Sequence, residues 1–107
     1  MRVWLIGASS AGTEVIKQLK KSTQIVLTVS AESPDPRAVR EGVIAHVDYV
    51  ETVTPINVDS LARRIRPDLI LLDSSASSYR GKSGGRALSQ ALTYEIAVAS
   101  EYPCVII

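Results

Sequence analysis

The opening MRVWLIGASSAGTE, Met1 to Glu14, limits what this chain can fold into more than any other stretch. Arg2 to Ile6 is a short apolar run closed by Gly7, as suits a parallel strand buried on both faces. From Gly12 onward, Val15, Ile16 and Leu19 recur at helical spacing, while Glu14, Lys17, Gln18, Lys20 and Lys21 fill the opposite face. The basic residues fall in the last turn, where they complement the helix dipole. Strand, glycine-rich turn and helix in this order begin a doubly wound domain. They also aim the N–H groups of a helix N-terminus at whatever anion lies beyond the turn.

The rest of the chain repeats the alternation. Ser22-Thr23 breaks the helix, and Gln24 to Ser30 (QIVLTVS) is a strand rich in β-branched residues. That completes one βαβ unit of about 30 residues. Ser33-Pro34-Asp35-Pro36 excludes regular structure, Arg37 to Glu41 suits a helical turn closed by Gly42, and Val43 to Val50 reads as a third strand. Thr54-Pro55 makes a turn, and Asn57 is placed to cap a helix through Leu61, Ala62 and Ile65, with Arg63, Arg64 and Arg66 outward. Pro67 stops that helix, and Leu69 to Leu72 is a fourth strand ending at Asp73. A Ser/Gly-rich loop, Ser74 to Gly85, leads into a helix marked by Leu88, Leu92, Ile96 and Ala99, and Cys104 to Ile107 is a fifth strand.

Strands alternating with helices across short connections predict an α/β fold: one doubly wound parallel sheet of five strands, in spatial order 3-2-1-4-5, with helices on both faces. At 107 residues the chain has the length of one domain, and with no Phe its core must be aliphatic, as buried parallel strands require. A net charge of +1 offers no electrostatic footprint for nucleic acid. No apolar run reaches the ~18 residues of a membrane span, so no membrane insertion is expected and the default location is cytoplasmic. The lone Cys104 excludes an intrachain disulfide and reads as a buried thiol. Because the sequence stops inside the apolar strand CVII, a further domain or a second copy of the chain is expected to cover that edge.

Gly7, Ser9 and Gly12 stand at the spacing of G-x-G-x-x-G, with Ser in the second place. That fingerprint needs a small second residue so that backbone can approach a pyrophosphate, and a third glycine so that helix and strand pack closely. Gly7, Ser9, Ser10 and Gly12 are therefore the expected phosphate-binding turn. Glu32, about 20 residues beyond, is placed to meet the hydroxyls of an adenosine ribose. Arg37 lies nearby and suits a 2′-phosphate instead, so NAD and NADP stay equally open as cofactors. Asp73 and Ser74 are expected on the opposite wall, with Asp73 either contacting a ligand or capping backbone.

These residues resemble NAD(P)-binding Rossmann domains. LIGASSAG is similar to the TGASSGIG turn of short-chain dehydrogenases, with Ile6 in place of Thr and with Ala11 and Thr13 where that family has glycines. The Tyr-x-x-x-Lys of that family is missing, since Tyr79 and Lys82 are one residue too close. MRVWLIG and the strand end Leu72-Asp73 are similar to precorrin-6A reductases, without their His-Pro. The glycine turn, Glu32 and then Val47-Asp48 are similar to the NAD-binding regulatory domains of potassium transporters. The first two resemblances imply the cofactor-binding part of an oxidoreductase. The third implies a module that binds nucleotide as a switch and does no chemistry.

Other constellations point elsewhere. Ala76 to Ser83 fits a relaxed phosphate-loop pattern, but Gly84-Gly85 stands where that loop's helix should already run. RPDLILLD, Arg66 to Asp73, is similar to the phosphoacceptor strand of receiver domains, but Gly7-Ala8 replaces their acidic pair. His46 is the only histidine and reads as structural, so no metal site is expected. No acid, base or nucleophile stands out as catalytic. The expected function is thus binding of NAD(P) or an adenine nucleotide as a regulatory module. An oxidoreductase fragment and a ligand-free interaction domain are the alternatives.

Overall fold

The structure is a computed structural model and describes residues 1–76 and 85–107. Most of the Ser/Gly-rich loop, with Tyr79, Arg80 and Lys82 and the relaxed phosphate-loop pattern, lies outside the described residues. The strands are β1 (Arg2–Ile6), β2 (Val26–Ala31), β3 (Tyr49–Val50), β4 (Leu69–Leu72) and β5 (Cys104–Ile106). The helices are α1 (Ser10–Leu19), α2 (Arg37–Arg40), α3 (Val58–Ile65) and α4 (Gly85–Ala99). All strand pairs are parallel, in the order β3-β2-β1-β4-β5. The expected α/β architecture and strand order are those observed.

Period-two alternation divides the core between the two sheet faces. Val3, Leu5, Val29 and Leu71 point to one side, where Ile16 of α1 and Ala38 of α2 cover them. Trp4, Ile70 and Leu72 point to the other, against Val58, Leu61 and Ala62 of α3 and Ile96 of α4. Two helices on each face make the sheet doubly wound. β1 lies in the centre, and its Trp4 and Leu5 are fully buried. The Trp4 indole N–H donates to Ser30 Oγ at 2.9 Å, so this large polar-tipped core side chain has its partner.

The third strand is much shorter than the run Val43 to Val50 predicts. The N–H groups of Val43 and Ile44 both donate back to Ala38 O in the first turn of α2, while their side chains pack against the core. Apolar character in this run therefore reports burial and not strand pairing. Asp48 then docks the segment to β2: its N–H donates to Val29 O and its carboxylate accepts the Val29 N–H at 2.8 Å. His46 lies in the turn ahead of β3, not within a strand. Asn57 stands at the N-cap of α3 without capping it; its Oδ1 accepts the Thr54 N–H at 2.8 Å and its Nδ2 donates to Thr52 O. Arg66 ends α3 with a left-handed φ of 56° just ahead of Pro67.

On β5, Val105 and Ile106 remain 48% and 42% exposed. Among the described residues no helix is long and apolar enough to cross a membrane.

Candidate functional site

A cleft of about 200 Å³ opens at the C-terminal ends of the strands. It lies between β1 and β4, where the strand order reverses, which is the topological switch point at which open α/β sheets hold ligands. The turn Gly7-Ala8-Ser9 forms one wall. Glu32 and Ser33 after β2 form another, Arg37 and Arg40 of α2 lie beside them, and Asp73, Ala76 and Ile96 close the far side.

The turn is built as its glycines demand. Gly7 has φ +95°, a left-handed conformation that glycine adopts without strain. Its N–H donates to Ser30 O at 2.7 Å, which ties the turn to β2. Gly12 is buried at the third residue of α1, where an added Cβ would lie 2.7 Å from Gly7 O. Helix and strand therefore touch through this glycine, as the fingerprint requires.

The N-terminus of α1 is already capped, and the cap comes from the end of β4. Asp73 is only 3% exposed, and its Oδ2 accepts the N–H groups of Ser9 and Gly12, each at 2.8 Å. Its Oδ1 accepts the Ser75 N–H at 2.8 Å and the Ser75 hydroxyl. Ser75 Oγ in turn accepts the Ala11 N–H at 3.2 Å. Three backbone donors that a bound phosphate would use thus go to a carboxylate and a hydroxyl of the same chain. The same loop explains the glycines. A Cβ on Gly12 would lie 2.7 Å from Asp73 Oδ2, and one on Gly7 would lie 2.6 Å from Ala76 Cβ and 3.0 Å from Asp73 Cβ.

Of the residues singled out by sequence, Gly7, Ser9, Glu32, Arg37 and Asp73 come together around the cleft. Gly12 sits behind the turn, facing Asp73. Ser10 is exposed on the first turn of α1, away from the lining. Ser74 is turned to the last strand, where its N–H and hydroxyl both donate to Ile107 O. Arg37 forms an exposed i,i+4 ion pair with Glu41. That hydrogen bond raises the arginine's pKa above its ordinary value and lowers that of the glutamate.

Arg40, Glu51 and Ser75 were not among the expected site residues. Arg40 follows Arg37 at i+3, so both fall on one face of α2, a spacing legible in the sequence. Glu51 lines the cleft because it directly follows β3. Nothing in the sequence distinguishes Ser75 from its serine neighbours.

No protein-family model, curated protein or solved structure matches the chain. Among the described residues no group of three or more His, Cys, Asp or Glu side chains converges as metal ligands would.

Proposed function

We propose that this chain binds an adenine nucleotide, NAD(P) included, in the switch-point cleft, and that it acts by binding and not by chemistry of its own. The observation that carries the reading is the convergence of the glycine turn after β1 with Glu32 after β2 on one cleft at the C-terminal edge of the sheet. Glu32 is exposed and lines that cleft, positioned to accept hydrogen bonds from the two ribose hydroxyls of an adenosine group. Arg40 on the adjoining wall carries positive charge beside the ribose position, next to Arg37, which is paired with Glu41.

Calorimetric titration with NADH, NADPH, ATP and AMP tests the reading, repeated with Glu32→Gln. Saturable binding of at least one nucleotide, weakened about tenfold by the substitution, is expected for the loss of charge-assisted ribose bonds. No heat from any of the four in a folded sample would refute it.

One observation favours a second reading, a ligand-free interaction domain. Both fingerprint glycines have a packing reason that needs no ligand, since the Asp73–Ala76 loop occupies the space each leaves open. A folded chain without nucleotide affinity is the outcome that reading expects.

A further inference from the structure

We propose that Asp73 is a built-in occupant of the phosphate position at the N-terminus of α1, and that the cleft therefore recognises the nucleoside part of its ligand and gains little from a diphosphate. The inference rests on the nucleotide reading of the cleft, but its central claim about Asp73 can be tested without any nucleotide.

Three observations converge on it. The N–H groups of Ser9, Ala11 and Gly12 all have acceptors within the chain, two of them Asp73 and one Ser75. The Asp73 carboxylate is buried, and its two oxygens accept four hydrogen bonds in all, so it occupies the place and the charge of an anion. A diphosphate laid on the turn would meet a like charge within contact distance and would find its donors taken. Finally, the Asp73–Ala76 loop fills the space beside Gly7 that close approach of a pyrophosphate would use: a Cβ on Gly7 would lie 2.6 Å from Ala76 Cβ and 3.0 Å from Asp73 Cβ.

The α2 wall adds little for a phosphate either, since Arg37 is already paired with Glu41 and the carboxylates of Glu32 and Glu51 line the same cleft as Arg37 and Arg40. The ligand class that fits is an adenine nucleoside or nucleotide whose phosphates point away from the glycine turn.

The test has two arms. In the unaltered chain, calorimetry compares adenosine, AMP, ADP and NADH. Affinities within about threefold of one another support the inference, whereas ADP or NADH binding tenfold more tightly than adenosine overturns it and leaves the nucleotide reading intact. If none of the four binds, the nucleotide reading fails, and the second arm alone decides the role of Asp73. In that arm Asp73→Ala is titrated with inorganic pyrophosphate and its thermal midpoint followed. Removing the carboxylate frees the Ser9 and Gly12 N–H groups, so pyrophosphate is expected to raise the midpoint of the variant, or to restore its fold, at concentrations that leave the parent unchanged. A variant that pyrophosphate neither stabilises nor refolds beyond its effect on the parent overturns the inference.

Discussion

Removing the Asp73 carboxylate tests the centre of this structure most directly. In Asp73→Ala the N–H groups of Ser9 and Gly12 lose an ionised acceptor at 2.8 Å, and Gly12 is buried where water cannot readily replace it. Hydrogen bonds to charged groups contribute about 1.5–3 kcal/mol each, so the two together give a loss of about 3 kcal/mol at the low end. The favourable interaction with the α1 dipole disappears as well. The two Ser75 donors lie on the same loop and can turn to solvent, so they are left out of that figure. A small domain has about 5–15 kcal/mol in total, so the variant should still fold but with a urea midpoint lower by roughly 2 M. Asp73→Asn keeps one oxygen for Ser9 and Gly12 while presenting an amide to the Ser75 N–H, and should lose about half as much. Urea titration followed by far-ultraviolet circular dichroism reads both variants. An Asp73→Ala midpoint that corresponds to a loss below about 1 kcal/mol would refute the capping role, because no buried charge-assisted pair can be that weak.

Three further perturbations follow from the same contacts. Gly12→Ala places a methyl group 2.7 Å from both Gly7 O and Asp73 Oδ2, so a loss of about 1–3 kcal/mol is expected in urea titration. Combined with Asp73→Ala, the loss should fall short of the sum, since one of the two clashes is gone. Ser30→Ala leaves the buried Trp4 indole N–H without its partner at 2.9 Å, for an expected cost of about 1–3 kcal/mol and a shift in tryptophan emission. Cys104 is half-buried and not the buried thiol expected, yet desolvation still pushes its thiol up to about 11, so alkylation at pH 8 should be about tenfold or more slower in the folded chain than in urea, and should accelerate as pH rises toward that value.

Much of this fold was legible in the sequence because its strands are short aliphatic runs between unambiguous breakers. Leu69 to Leu72 lies between Pro67 and the polar Asp73-Ser74, and the strand found there has those same bounds. The order β3-β2-β1-β4-β5 then follows from right-handed crossovers and a single reversal. The third strand is shorter than its hydropathy suggests for a physical reason: Val43, Ile44 and Val47 are apolar because they close the end of the core, and hydropathy carries no record of which way the backbone bonds. Asn57 is ambiguous in the same way, since its side chain is suited to a cap but equally to the Thr52–Thr54 turn that it joins. At the site, position along the chain was enough to bring Gly7, Ser9, Glu32, Arg37 and Asp73 to one cleft. Which N–H group each acceptor takes was not legible, because it depends on contacts more than sixty residues apart, such as those from Ser9 and Gly12 to Asp73.

A glycine turn ahead of a helix is ambiguous for the same physical reason. The glycines report that something approaches closely; they do not report what. Here the approach at Gly12 is made by Gly7 O and Asp73 Oδ2, and the approach at Gly7 by Ala76 and Asp73, all within the chain. The discriminating residue is the one that ends the strand beside β1 across the switch point. A helix N-terminus carries roughly half a positive charge and draws an anion. If a ligand phosphate were to supply that anion, a carboxylate on the neighbouring strand end would repel it at close range, and a neutral or basic residue would serve better. If no ligand supplies it, a buried Asp is the residue that satisfies both the dipole and the free N–H groups. In this chain the position holds Asp73, only 3% exposed and accepting from the N–H groups of both Ser9 and Gly12, so the anion at this helix N-terminus is the protein's own.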